Sequence, residues 1–354
     1  MKISIKLIIE TKPTDNRLTD KTTYSNSQIR DTLELYYGHT KFREGQLDAI
    51  KSVLDGNDVG IFWPTGHGKS MVYQLPSLVT GKTAIVVSPL ISLMQDQVHA
   101  LNSKNDGADI ATFLGSSQLD PNVEMDVFNG KYNVVFVTPE KIAASDFIYR
   151  LKNELGMDKI VLIAIDEAHC VSQWGQGFRP DYLNLGIFRQ HLPLIPIVAL
   201  TATATPKVQL DIRSSLGMKE ESFISVRSVD RANLALSLIP KSSSMKNDLQ
   251  FILDLYSNSV SNVQSNTIGS TIVYCTTKKD SKKLQKFLQD NLPHINIQNY
   301  HGGLDNQIRK TAHQQFITGE SPIITATTAF GMGIDKLDIR RVIHWGVAKS
   351  MEEY

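Results

Sequence analysis

The sequence predicts an α/β protein with two successive doubly wound parallel sheets, and the pattern of its 354 residues supports this. From residue 28 onward, short apolar runs rich in β-branched residues alternate with longer amphipathic stretches. Strands that are apolar on both faces are typical of parallel sheets, and the longer stretches have room for crossover helices. The predicted strands of the first sheet are 59–62, 83–87, 134–137, 160–165 and 197–200. The predicted strands of the second sheet are 271–274, 295–297, 322–325 and 341–344.

Changes in composition divide the chain into four segments. We expect residues 1–27 to be a flexible lead-in, because most of this segment is polar and rich in turn formers. Residues 28–224 are predicted to form the first α/β domain. Residues 225–246 lack strong periodicity and are predicted to be a linker, followed by a second α/β domain at 247–354.

Charge and cysteine content exclude several classes of protein. Lys plus Arg is 37 and Asp plus Glu is 36, which argues against a polybasic clamp but leaves room for a local basic groove. The two cysteines, Cys170 and Cys275, are far apart, so neither a disulfide framework nor a Cys-x-x-Cys zinc site is expected. An apolar run of about eighteen residues, long enough to cross a membrane, does not occur in the sequence.

A glycine-rich segment follows the first predicted strand and is typical of a phosphate-binding loop. Thr65, Gly66, Gly68, Lys69 and Ser70 belong to it, although a tryptophan stands where the general pattern has its first glycine. Glycines let successive backbone N–H groups point at phosphate oxygens, the lysine supplies a charge to the outer phosphates, and the serine hydroxyl can hold Mg²⁺. The alternative interpretation is an ordinary glycine-rich turn.

A second motif, D-E-A-H, follows the most hydrophobic predicted strand. Asp166 at the end of that strand would share Mg²⁺ with Ser70, and Glu167 would orient or deprotonate the attacking water. His169 is predicted either to connect this site to Thr201 or to be a buried histidine with satisfied hydrogen bonds. The alternative for the acidic pair is capping of a helix N-terminus.

Together with further segments, these motifs make the sequence similar to the RecQ DNA helicases of superfamily 2. The segments that carry the resemblance are 35–46, 64–70, 88–97, 138–140, 166–169, 172–182, 201–203, 300–304 and 329–336. The resemblance covers roughly residues 28–354, and the sequence around 196–201 leans toward the Werner-type branch. It implies two tandem RecA-like domains, ATP and Mg²⁺ as cofactors, and single-stranded and duplex DNA as partners. It also implies a nuclear location, or a cytoplasmic one if the protein is prokaryotic.

The same resemblance assigns nucleotide-binding residues outside the loop. His39, Arg43 and Gln46 would recognise adenine, since a glutamine amide pairs with both a donor and an acceptor and a guanidinium stacks on a ring. Gly333 and Asp335 would contact the nucleotide from the second domain. Without the resemblance, Arg43 and Gln46 would be interpreted as solvated polar residues on a helix.

DNA contacts are also implied by the resemblance. The predicted contact residues are Trp174, Phe178, Arg179, Tyr182, Ser88 and Thr138. Aromatic faces stack on bases without reading sequence, which suits a translocase; the alternative is that these aromatic residues belong to the core. Gln176 and Gly177 stand where relatives have His-Asp, so DNA stimulation of hydrolysis is in question.

The resemblance also places the end of this sequence before the last helicase motif, which carries an arginine finger. We therefore expect a fragment, an incomplete gene model or a truncated protein, and the sequence does not choose among them. The leading hypothesis is an ATP-dependent 3′-5′ DNA helicase. The alternatives are an ATP- and DNA-binding fragment with little turnover, and an RNA helicase with the same core.

A dense basic cluster at 278–283 contains Lys278, Lys279, Lys282 and Lys283. It is interpreted as the solvated face of a helix that follows the strand ending at Cys275. A DNA contact and a localisation signal are the other interpretations.

Overall fold

A computed structural model gives the architecture of the chain. The described residues are 23–105, 107–143, 146–172, 180–228, 233–257, 268–331, 334, 336 and 338–347. The predicted lead-in therefore lies almost entirely outside them.

Helices and strands alternate along the chain. The strands are β1 (Val59–Phe62), β2 (Thr83–Val87), β3 (Ala111–Leu114), β4 (Val134–Val137), β5 (Ile160–Ile165), β6 (Ile197–Thr201), β7 (Phe223–Val226), β8 (Ser270–Cys275), β9 (Ile297–Tyr300), β10 (Ile323–Ala326) and β11 (Ile339–Trp345). The α-helices are α1 (Asn26–Tyr37), α2 (Gln46–Leu54), α3 (Met71–Thr80), α4 (Ile91–Ser103), α5 (Asn122–Phe128), α6 (Pro139–Ala143), α7 (Phe147–Arg150), α8 (Ile187–His191), α9 (Pro206–Ser215), α10 (Met245–Ser257), α11 (Lys278–Asn291) and α12 (Asn306–Thr318). Short 3₁₀ or π segments occupy Leu151–Gly156, Met157–Lys159, Ala168–Val171 and Pro180–Gly186.

The strands form two separate sheets in which every pairing is parallel. The first has seven strands in the order β3-β4-β2-β5-β6-β1-β7, and the second has four in the order β11-β8-β10-β9. Parallel neighbours require crossover connections, and most of these connections contain a helix. The predicted fold class, two tandem RecA-like parallel-sheet domains, is confirmed.

Apolar residues cover both faces of the first sheet. One face of the core contains Ile61, Val86 and Leu162, and the other contains Phe62, Val87 and Ile163. Successive residues of a strand point to opposite faces, so burial on both sides requires the continuous apolar runs seen in the sequence.

Two strands of the first sheet, β3 and β7, were not predicted from the sequence. Both β3 and β7 are edge strands, and β7 is only partly buried, so neither carries the continuous apolar run of a central strand. β7 pairs with β1 and extends the first sheet to Val226, two residues beyond the predicted domain boundary at 224. β9 covers 297–300 instead of the predicted 295–297. The division into four segments stays a prediction.

A buried ion pair stabilises the first sheet at the amino-terminal ends of β1 and β6. Asp58 is fully buried, and its two carboxylate oxygens each accept a hydrogen bond from Arg189 Nη2 at 2.7 Å. The backbone N–H groups of Ile197 and Lys219 also donate to Asp58, each at 2.8 Å. Arg189 in turn donates to the carbonyl of Gly217 at 3.0 Å. One carboxylate thus connects β1 to α8, β6 and the segment that leads to β7.

No helix in the described part of the chain is long and apolar enough to cross a membrane.

We predict that Arg189→Ala lowers the free energy of unfolding by about 3–5 kcal/mol, because it leaves the Asp58 carboxylate buried without its counter-charge. The measurement is denaturant unfolding of the wild type and the variant. The control is Asp126→Ala, which removes one partner of a surface pair with Lys131 and should change the free energy of unfolding far less, because water screens that pair. An Arg189→Ala protein as stable as the control would contradict this account.

Candidate active site

Three motif segments leave the same edge of the first sheet. In the order β5-β6-β1 the strands are neighbours, and Phe62 pairs with Thr201 while Ile165 pairs with Ala199. The carboxyl ends of parallel strands lie at one edge, so the glycine-rich loop, the acidic pair and Thr201 emerge side by side.

The glycine-rich loop has the backbone conformation that its glycines permit. Gly66 and Gly68 have φ values of 82° and 74°, in the left-handed region that other residues rarely adopt. Nothing lies within 4 Å of the position that a Cβ on Gly66 would take, so open space borders the loop there. A Cβ on Gly68 would collide with the amide of Gln46, so both conformation and packing require glycine.

Two of the residues predicted to recognise adenine contact this loop. Arg43 donates from its guanidinium to the carbonyl of Gly66, and Gln46 Nε2 donates to the carbonyl of Gly68 at 3.0 Å. Gln46 Oε1 also accepts from the backbone N–H of Arg43 at 2.8 Å. The buried Gln46 amide therefore has both its oxygen and its nitrogen engaged within the protein. His39, the third of these residues, and Thr65 are exposed.

Lys69 links the loop to the acidic pair. Its ammonium donates to the carbonyl of Trp63 at 3.0 Å. Burial lowers the pKa of Lys69, and the charges of Glu167 and Asp166 oppose this shift. The lysine and the two carboxylates therefore share one electrostatic environment, as a common phosphate site requires.

The acidic pair has an unusual backbone at its second residue. Glu167 has φ 49°, the only positive φ among non-glycine residues of the described ranges, and its N–H donates to Asp166 Oδ1 at 3.0 Å. Glu167 Oε2 lies 3.2 Å from His169 Nδ1, which lies 2.8 Å from the hydroxyl of Thr201. The Thr201 hydroxyl also accepts from the N–H of Thr203 at 3.2 Å. A hydrogen bond thus joins His169 to Thr201, and this contact fits both the predicted connection and the alternative of a buried histidine with satisfied hydrogen bonds.

Charge coupling shifts the pKa values of these groups apart. Burial and the neighbouring Glu167 raise the pKa of Asp166 to about 7. Burial opposes ionisation of Glu167, but its hydrogen bond to His169 and the charges of His169 and Lys69 lower its pKa. Burial opposes protonation of His169, yet its interactions with Cys170 and Glu167 raise its pKa to about 9. The protonated His169 therefore keeps Glu167 ionised at neutral pH.

The donor set fits Mg²⁺ and a triphosphate. A hydroxyl at Ser70 and a carboxylate at Asp166 are the hard oxygen ligands that Mg²⁺ prefers. The repulsion between the adjacent carboxylates is the type of charge imbalance that a divalent cation relieves. In the described part of the chain, no group of three His, Cys, Asp or Glu side chains could hold a metal by itself. Phosphate oxygens and waters would therefore complete the coordination.

Three of the residues predicted to bind DNA are buried. Tyr182 is 0% exposed, and its hydroxyl donates to the carbonyl of Asp166 at 3.2 Å. This placement differs from the predicted base contact, because the ring has no exposed face on which a base could stack. Ser88 and Thr138, which follow β2 and β4 at the same edge of the sheet, are also buried. The remaining predicted site residues lie outside the described residues: Trp174, Phe178, Arg179, Gly333 and Asp335.

Sequence reasoning missed two residues that support the side chains of this site, Trp63 and Tyr73. The carbonyl of Trp63 accepts from Lys69, and the buried Tyr73 hydroxyl interacts with Ser70. Burial first, and then the charge of Asp166, raise the pKa of Tyr73. Both residues belong to apolar stretches beside the loop, where the sequence pattern indicates only core.

Comparison with known proteins gives two family profiles and a set of curated relatives. The profile for the DEAD/DEAH box helicase matches residues 43–212, and the profile for the helicase conserved C-terminal domain matches residues 249–354. The chain is 40% identical over 333 residues to the bifunctional 3′-5′ exonuclease/ATP-dependent helicase WRN of Mus musculus, covering 93% of this chain and 23% of that protein. It is 39% identical over 332 residues to the ATP-dependent DNA helicase RecQ of Bacillus subtilis, covering 92% of this chain and 53% of that protein. The chain thus spans roughly a quarter to a half of the lengths of these two relatives.

Solved structures share the fold. The helicase MrfA bound to DNA superposes with a TM-score of 0.71 at 18% identity, covering 93% of this chain and 48% of that chain. The Mycobacterium smegmatis helicase Lhr bound to ssDNA and AMP-PNP superposes with a TM-score of 0.63 at 17% identity, covering 90% of this chain and 43% of that chain.

Identity to the ATP-dependent helicase SGS1 of Saccharomyces cerevisiae is also 40%, so the Werner-type branch stays a prediction. The motifs, the two matching profiles and these relatives agree on one conclusion: the chain belongs to the RecQ family of helicases.

Proposed function

We propose that this chain is the motor core of an ATP- and Mg²⁺-dependent DNA helicase that moves 3′ to 5′ on a single strand and unwinds duplex DNA. The observation that carries the proposal is that Lys69 and the Asp166–Glu167 pair follow β1 and β5, whose carboxyl ends lie on either side of β6, and that the charges of both carboxylates act on the lysine. Recombination, replication or repair would be its setting, in the nucleus of a eukaryote or the cytoplasm of a prokaryote. The names of the relatives support DNA as the substrate, since the Bacillus subtilis protein is called a DNA helicase.

The residues of the site have distinct tasks in hydrolysis. Lys69 would exchange its bond to the Trp63 carbonyl for a phosphate oxygen, so the loop offers the nucleotide a desolvated positive charge. Mg²⁺ held by Ser70 and Asp166 would neutralise charge that develops on the phosphates. Glu167, kept ionised by His169, would orient the attacking water and accept its proton.

His169 and Thr201 would connect hydrolysis to the rest of the first domain. The His169 ring touches Glu167 on one strand end and Thr201 on the next. A conformational change at the end of β6 would therefore alter the position of Glu167, the carboxylate that orients the attacking water. This gives the motor a route by which DNA occupancy alters the rate of hydrolysis.

Measurements of ATP hydrolysis and of DNA and RNA binding distinguish this function from two others. A chain that binds ATP and DNA without turnover would be a binding fragment. A chain stimulated by RNA oligonucleotides and not by DNA would be an RNA helicase with the same core.

We predict that Lys69→Ala lowers the rate of ATP hydrolysis in the presence of single-stranded DNA by at least about 100-fold, since it removes the charge that faces the outer phosphates. The measurement is phosphate release with and without DNA and RNA oligonucleotides.

Lys131→Ala is the matched control, because Lys131 is an exposed lysine paired with Asp126 on the surface. It should hydrolyse ATP like the wild type. A Lys69→Ala protein with unchanged hydrolysis would overturn the assignment of the site.

We further predict that Thr201→Val lowers kcat for ATP about 10-fold with little change in nucleotide affinity, because the hydroxyl that holds His169 is lost while the shape is kept. The measurement is steady-state hydrolysis together with fluorescent-nucleotide binding. Thr83→Val removes an equally buried threonine hydroxyl, bonded to the Tyr132 carbonyl at the opposite edge of the sheet, and should leave kcat unchanged. Equal effects of the two variants on kcat would refute a role for the His169–Thr201 bond.

A further inference from the structure

An arginine that directly follows β7 contacts two segments of the candidate active site. The backbone N–H of Arg227 donates to the carbonyl of Phe62 at 3.0 Å, so the pairing of β7 with β1 continues by one bond. Its guanidinium lies over the ring of Trp63, 4.8 Å from the centroid, and donates to the carbonyl of Glu44. The side chain is 20% exposed. One cation therefore touches both the residue that follows β1 and the segment that leads to Gln46.

Trp63 connects this arginine to Lys69. The indole is fully buried, and its Nε1 donates to the hydroxyl of Ser225 at 2.9 Å. The carbonyl of the same residue accepts from the ammonium of Lys69 at 3.0 Å. β7 and the residue after it thus hold the ring of Trp63, while its backbone holds the lysine of the glycine-rich loop. The position of the ring therefore affects where that loop begins.

Gly45 allows the segment before α2 to approach this arginine and this ring closely. It has φ 69°, in the left-handed region that favours glycine. A Cβ at this position would lie 3.3 Å from Trp63 Cζ2 and 3.5 Å from Arg227 Nη2. The next residue is Gln46, whose amide donates to the carbonyl of Gly68 in the loop. The segment with the predicted adenine-recognition residues therefore packs against both the tryptophan and the arginine.

An exposed ion pair is the alternative interpretation of Arg227. Its Nη2 lies 3.7 Å from a carboxylate oxygen of Glu44, but that carboxylate is 94% exposed, so water screens the pair. A guanidinium over a tryptophan ring is a favourable cation–π contact, and its planar set of donors can reach a carbonyl at the same time. Both of these contacts act on groups whose positions the backbone fixes. They therefore constrain the two segments more than the ion pair does.

We propose that Arg227 is a positioning residue that sets the spacing between the adenine-recognition segment and the phosphate-binding loop, and thereby contributes to a preference for ATP over GTP. This inference rests on the proposed function, because it assigns the base to Gln46 and the phosphates to the loop. Adenine offers a donor and an acceptor that suit a glutamine amide, whereas guanine offers two acceptors on the same edge. A fixed spacing lets the protein bind base and phosphates together, so its loss weakens ATP binding more than GTP binding.

The test is competition of ATP and of GTP against a fluorescent nucleotide. Arg227→Ala should raise the Kd for ATP about 3- to 10-fold and the Kd for GTP by at most about 2-fold, because pairing with the base is the interaction that is lost. The matched control is Arg150→Ala. The guanidinium of Arg150 lies over the ring of Phe128, 3.9 Å from the centroid, and its side chain is 24% exposed, but it belongs to α7. This control should keep both Kd values of the wild type.

Arg227→Lys separates positioning from stability. A lysine keeps the charge but lacks the planar set of donors, so its preference for ATP should lie between those of the wild type and Arg227→Ala. Circular dichroism checks that the variants fold, and Arg227→Lys carries the comparison if Arg227→Ala does not.

An unchanged ratio of the two Kd values in the folded Arg227 variants would overturn the proposal, as would equal losses of ATP and GTP affinity. The same change of ratio in Arg150→Ala would also overturn it. A wild-type chain that binds ATP and GTP equally would refute base recognition by Gln46, and with it this inference. A wild-type chain that binds neither nucleotide would instead refute the proposed function.

Discussion

The shared edge at which β5, β6 and β1 end is the constraint on which the rest of the site depends. Parallel pairing brings Lys69, Asp166 and Thr201 to neighbouring strand ends although they are far apart in sequence. The pairing is held at the other edge by the buried Asp58 carboxylate, which ties the start of β1 to the start of β6. A fixed register at one edge therefore determines which groups meet at the other. The ion pair that stabilises the sheet therefore lies where the strands begin, and the groups of the candidate active site lie where they end.

The central strands could be predicted from sequence because they are buried on both faces. β1, β2, β4, β5 and β6 each appear as an apolar run, and the structure places each of them where the run lies. β3 and β7 could not be predicted this way. An edge strand has one neighbour and a partly solvated surface, so its composition merges with that of the loops. The same reason explains why the sheet continues past the predicted boundary at 224.

The site residues could be predicted from sequence where the backbone conformation requires a particular residue type. They were harder to predict where side-chain packing determines whether a residue is buried or exposed. Gly66, Gly68 and the D-E-A-H motif reveal their positions because few residues can replace them. Tyr182 illustrates the opposite case. The resemblance implies a base-stacking aromatic with a core position as the alternative, and the ring is buried, with its hydroxyl donating to the carbonyl of Asp166. Sequence alone does not distinguish an aromatic residue that contacts a ligand from one that holds the chain carrying the catalytic carboxylates.

The hydrogen bonds of Gln46 have a consequence for nucleotide recognition. Both ends of its amide are engaged, by the N–H of Arg43 and by the carbonyl of Gly68. Each atom is used once: the amide nitrogen has a second N–H and the oxygen a second lone pair, so an adenine that pairs with this side chain would leave both bonds to the protein in place. The two bonds to the protein would hold the amide in one orientation before a nucleotide binds, which lowers the conformational entropy lost on recognition of the base. Because one of these bonds ends on the carbonyl of Gly68, the residue before Lys69, the same side chain would connect the base to the loop that holds the phosphates.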